Sequence, residues 1–120
     1  MSMTEEEIRI RKTELRNHSE KLASLERELR SLSPRALLLE KLESSAEFLA
    51  RGEQDPGSRE EALRERTEIL LLLEQHPAPD GTADDQVFLK HFRELRDECT
   101  ELDAHLREIR RELIRDFKNR

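Results

Sequence analysis

Between Thr4 and Leu32, two rows of positions repeat at spacings of three and four. Ile8, Leu15, Leu22 and Leu29 form one row, and Arg11, His18, Leu25 and Leu32 form the row beside it. At 3.6 residues per turn, both rows fall on one narrow stripe of a helix, as in the a and d seam of a coiled coil. The stretch from Asp84 to Lys118 repeats the pattern, with Phe92, Cys99, Leu106 and Leu113 on one row and Phe88, Leu95, Leu102 and Ile109 on the other. Leu15, Leu22, Leu29, Phe92, Leu95, Leu102, Leu106, Ile109 and Leu113 are therefore the expected seam.

The middle of the chain is patterned differently. "RALLLEKLESSAEFLA" and "ALRERTEILLLLEQ" carry wide apolar faces, and Ile69 to Leu73 is an unbroken run of five aliphatics. Such a run covers most of a helix circumference, and a helix that is apolar nearly all round is expected to be buried nearly all round.

Punctuation separates four helical segments. Thr4-Glu5-Glu6-Glu7 is a capping box and opens the first, at about 4–32. Ser33-Pro34 follows. Proline lacks an N–H but fits the first helical position, so a second segment is expected at about 35–51, up to Gly52. "GEQDPGS" reads as a turn at about 52–57. Ser58-Arg59-Glu60-Glu61 repeats the capping box and opens the third segment, at about 58–76. A loop at about 77–83 precedes the fourth, at about 84–118.

These segments predict a single all-α domain over 1–120, an elongated antiparallel bundle extended by a coiled coil of the first and last helices. If Ser33-Pro34 reverses the chain, the four segments alternate up and down. If it only bends the chain, the first two form one rod. The sequence leaves both open. One antiparallel register pairs Leu15 with Leu102 and Leu22 with Leu95, and sets His18 opposite Cys99.

Composition narrows the function. Of 120 residues, 42% are charged and 34% apolar, with four Phe and no Trp or Tyr. Leu, Glu and Arg favour helix. The net charge of −6 is wrong for a protein that neutralises a phosphate backbone, so nucleic acid is not the expected partner. Residues 52–83 carry most of the deficit, with eight acids (Glu53, Asp55, Glu60, Glu61, Glu65, Glu68, Glu74, Asp80) against Arg59, Arg64 and Arg66. A solvated helix face accounts for them. A basic partner surface is the alternative.

A lone cysteine and the absence of an apolar leader point to the cytoplasm, and no apolar run is long enough to span a bilayer. Asn17-His18-Ser19 matches a glycosylation sequon by chance.

Candidate chemistry is thin. His18, His76, His91 and His105 lack the Glu-x-x-His spacing of a helical dimetal site, since Phe88 and Leu102 precede His91 and His105 by three. "DGTADDQVFLKH" has Asp85 where a calcium loop needs Gly and His91 where it needs Glu. Cys99 falls on the seam, away from a base. Arg107, Arg110, Arg111, Arg115, Lys118 and Arg120 form a basic stretch, but Glu108, Glu112 and Asp116 interleave with them at ion-pair spacing. No catalytic residue, cofactor or metal site is expected.

The leading expectation is a non-enzymatic protein–protein interaction module, an adaptor, scaffold or small subunit, associating with itself as a homodimer. Its candidate interface is the surplus aliphatic set Leu38, Leu42, Leu49, Ile69, Leu70 and Leu73. A dedicated chaperone or regulator shielding a partner's helix is the alternative. A helical enzyme or ligand carrier is the third reading, and no sequence feature favours it.

Overall fold

The computed structural model describes residues 2–52, 54–79 and 84–119. Among these residues there are three helices and no strand: α1 (Glu5–Ala50), α2 (Pro56–Gln75) and α3 (Asp85–Lys118).

Of the two courses left open at Ser33-Pro34, the structure takes the one in which the first two segments form a single rod. The chain neither reverses nor breaks there, because α1 runs on with Pro34 inside it. Four segments become three helices, and the alternating four-segment topology does not occur. Proline in a helix interior removes one backbone bond and crowds the preceding turn, at a cost of about 3 kcal/mol. The residues just beyond it explain why the helix continues. Ala36 is wholly buried, Leu39 is buried, and Arg35 is anchored by three contacts described below. Ending the helix at Ser33 would forfeit that packing.

The helix ends follow local rules. Thr4 Oγ1 accepts from the Glu7 N–H at 3.1 Å, and Glu5, Glu6 and Glu7 lie at the positive end of the α1 dipole. Gly52, at φ 71°, takes the left-handed conformation that follows a helix C-terminus. Helix α2 begins earlier than the capping box at Ser58 predicts. Asp55 is the N-cap, with its carboxylate accepting from the Ser58 N–H at 2.8 Å, and Pro56 occupies the first turn. These contacts hold the Asp55 carboxyl below its ordinary pKa, first through the Ser58 backbone N–H and then through the Ser58 hydroxyl. Asp84 serves α3 in the same way, accepting from the Gln86 N–H at 2.8 Å. The predicted loop at 77–83 is described only for 77–79, which is not helical; 80–83 lie outside the described residues.

The helices contribute to two compact units, Met1–Leu29 with Glu94–Arg120, and Arg30–Arg93. The division in α1 falls at Arg30, the residue whose carbonyl would have accepted from position 34 had it not been proline. In the first unit two helical stretches run antiparallel, since Met3 meets Asp116, Arg11 meets Glu112 and Lys21 meets Glu98. Leu22, Cys99 and Leu106 form its buried cluster, with Leu15, Leu25, Leu29 and Leu102 packed against it. Leu95 and Ile109 are also buried, and Leu113 is half-buried. The second unit buries Ala36 and Leu39 of α1, Ala62 and Ile69 of α2, and Phe88, Leu89 and Phe92 of α3.

The register within the first unit differs from the one proposed above. His18 lies against His105, nearly two turns further along α3 than Cys99. The rings meet edge to face with centroids 5.1 Å apart. The Arg11–Glu112 pair at 3.2 Å agrees with this shift. Apart from Arg11 and His18, the two rows repeat apolar residues at the same spacing, so hydrophobic spacing tolerates more than one axial offset. The charged flanks and the polar pair select among them.

Candidate interaction surface

Most of the apolar stripe on the two long helices is spent internally, whereas α2 is not covered in the same way. Of the run Ile69 to Leu73, Ile69 is buried at 7% exposure and Leu73 is half-buried. Leu70, Leu71 and Leu72 stand 47%, 58% and 43% exposed. The expectation that this helix is buried nearly all round is therefore not met within one chain. The physical reason is coverage, because α2 has neighbours on its inner side only, and five consecutive side chains point in more directions than those neighbours occupy. Leu63, Leu37 and Phe48 are exposed on the same unit. Of the candidate interface positions, Leu38, Leu42 and Leu49 are half-buried beside Leu37 and Phe48.

The C-terminal half of α1 and the first turns of α2 enclose a groove of about 840 Å³. Leu37, Phe48, Ala62 and Ile69 supply its apolar wall, and Glu40, Glu61, Glu65 and Lys41 supply its charges. Ser45 also lines it, and the Ser45 Oγ is buried with no hydrogen-bond partner. An orphaned buried hydroxyl costs about 1–3 kcal/mol.

Charged side chains tie this unit together. Arg35 donates to the His76 carbonyl at 3.0 Å and to Asp85 at 2.7 Å, and its guanidinium lies 5.9 Å from the Phe88 ring centroid. One side chain thus links α1, the end of α2 and the start of α3. Arg93 of α3 reaches Glu43 at 2.8 Å and Glu40 at 3.4 Å. The Glu43 hydrogen bond is the main cause that raises its pKa, so it stays charged. Sequence reasoning missed both arginines. Neither lies on an apolar stripe, and a pairing fifty residues away leaves no local signal.

A second groove, of about 540 Å³, lies in the first unit and includes Met3, Ile10, Arg11, Glu112 and Asp116. Its polar groups are engaged with one another. The Met3 N–H donates to Asp116 at 2.6 Å, and Arg11 pairs with Glu14 at 3.0 Å and with Glu112. Asp116 is buried, which the heptad pattern does not predict.

The groups with reactive potential are quiet. Cys99 is buried, and burial pushes its thiol pKa up, with the charges of Glu26, Glu98 and Glu28 adding to the shift. A thiol held protonated is a poor nucleophile. His105 is exposed and its ring lies edge-on to that of His18, whose Nδ1 is buried without a partner. Among the described residues, no group of three or more His, Cys, Asp or Glu is placed to hold a metal, and no helix is long and apolar enough to cross a membrane.

The chain matches no protein-family model, no curated protein and no solved structure.

Proposed function

We propose that this protein is a non-enzymatic interaction module that associates with itself as a homodimer. Its two-helix unit acts as a coiled coil and its three-segment unit as the bundle that carries the contact. The observation supporting this is the exposure of Leu70, Leu71 and Leu72 side by side on α2. Single exposed aliphatics are ordinary on protein surfaces, but a contiguous apolar patch with a charged rim is typical of a surface that pairs. Glu68, Glu74 and Arg66 supply such a rim on the same helix. Leu37, Phe48 and Leu63 are further exposed apolar side chains of the same unit, and Leu38, Leu42, Leu49 and Leu73 are half-buried in it. Covering these side chains in a second copy removes apolar surface from water, at about 25 cal/mol per Å². An adaptor, scaffold or subunit role in the cytoplasm follows from this reading.

Native mass spectrometry with sedimentation tests it. The wild-type chain is expected to run as a dimer at micromolar concentration. Leu70→Glu with Leu71→Glu is expected to be a monomer of unchanged helicity, because both side chains are already exposed. A monomeric wild type, or a double variant that still pairs, refutes self-association. A wild-type monomer that binds apolar dyes and pairs only with a foreign helix supports instead a chaperone that shields a partner.

A further inference from the structure

Phe117 is exposed at 79%, more than any other large apolar side chain among the described residues. Ile114 stands exposed three residues before it. The spacing of Arg107, Arg110, Ile114 and Phe117 places them on one face of α3, because residues three and four apart align on a helix. The inward side of this stretch is taken by Leu106, Ile109 and Asp116, which are all buried. Arg111, Arg115 and Lys118 flank the exposed face. The end of α3 is thus a basic helix with two uncovered apolar side chains.

The groove between α1 and α2 has the complementary character. It offers the apolar wall of Leu37, Phe48, Ala62 and Ile69, while Glu61 and Glu65 stand one turn apart on its α2 side.

We infer that this groove seats the C-terminal end of α3 from a second copy of the chain, with Ile114 and Phe117 on the apolar wall and Arg110 toward Glu61 and Glu65. The inference rests on the reading that the chain self-associates and adds to it a second contact, since Leu70, Leu71 and Leu72 line neither of these two surfaces. Opposite charges on the two sides fix the orientation of the guest helix and exclude an acidic one. In the homodimer the contact is made twice, each copy's α3 end entering the other's groove, so the interface as a whole is isologous.

The test is a photo-crosslink made in full-length protein. Phe117 is replaced by p-benzoyl-phenylalanine, a change its exposure tolerates, and isotopically heavy and light protein are mixed before irradiation. Mixed-label crosslinks from position 117 to residues 37–48 of α1 or 58–69 of α2 are expected. Crosslinks that join only like-labelled peptides, that land elsewhere, or that fail to form in a sample that is still oligomeric overturn the inference and leave self-association standing. A wild-type chain that is monomeric by mass overturns both. As a second measurement, Glu61→Arg is expected to weaken association about tenfold and Arg110→Glu in the same chain to restore it. Two weakening effects that simply add contradict the pairing.

Discussion

The two compact units solve the burial problem in opposite ways. In the unit formed by Met1–Leu29 and Glu94–Arg120, apolar residues repeat once or twice per turn on a narrow stripe, and the facing helix covers that stripe. In the unit formed by Arg30–Arg93, apolar residues are denser than their neighbours can cover, and among the described residues seven of the ten large apolar side chains left exposed belong to it. The first unit covers its stripe and leaves Ile10, Ile114 and Phe117 exposed outside it. The second carries a surplus, and the surplus is what makes it a candidate for contact with another chain. Charge follows the same division. The first unit places its pairs beside the seam, as Arg11–Glu112 and Lys21–Glu98. The second uses Arg35 and Arg93 as ties between elements.

This contrast breaks most readily at the seam. Leu106→Ala removes a side chain only 1% exposed and is expected to cost about 2–4 kcal/mol, read as a loss of helicity at lower denaturant. Leu71→Ala, on the surplus surface, is expected to change the stability of the single chain by less than about 0.5 kcal/mol. Equal losses from the two substitutions would end the distinction between a spent stripe and a surplus one.

Arg35→Ala comes next, expected to cost about 0.5–1.5 kcal/mol, because the ties to the His76 carbonyl and Asp85 are lost together. Hydrogen exchange is expected to speed in residues 30–50 and at the start of α3, and to change little around Leu22. Uniform acceleration through both units would show that they open as one.

A smaller effect separates the units by reactivity. Cys99 is expected to react with a thiol reagent at neutral pH orders of magnitude more slowly than a free thiol, and to regain the ordinary rate in denaturant. Its raised pKa also has a sign for stability. The native state holds the proton more tightly, so this contribution is complete below the ordinary thiol pKa and is lost as pH rises through the native one. Fast native labelling would mean that the seam opens readily.

The last expected change is at the α2 cap. Asp55→Ala is expected to lower stability by removing the acceptor of the Ser58 N–H. Because the native carboxyl titrates below its ordinary value, the cap's contribution is present above that value and is lost as pH falls through the native one. The wild-type and Asp55→Ala stabilities are therefore expected to converge in acid. Parallel pH profiles would show that Asp55 does not act through its charge.

Much of the helical content was legible from local chemistry. Thr4, Gly52 and Asp84 mark ends that depend on their own backbone conformation and nearest turns, so a short window suffices to find them. The narrow stripes of Leu15, Leu22, Leu102 and Leu106 were legible for the same reason, since a repeat of three and four is a property of the helix itself. The start of α2 was misplaced because two caps compete within four residues, and Asp55 with Pro56 wins over Ser58.

Amino-acid order alone thus determined that the described chain is helical, that α1 ends near Gly52, and which faces carry a stripe and which a surplus. Each of these depends on interactions spanning about one turn. Tertiary packing decided that Pro34 stays inside α1, because the burial of Ala36 and the anchoring of Arg35 outweigh a local preference to break. It also decided that His18 meets His105, since the register of two repeating stripes is degenerate until both helices are in place. Packing left Leu70, Leu71 and Leu72 exposed as well, because coverage depends on neighbours distant in the chain.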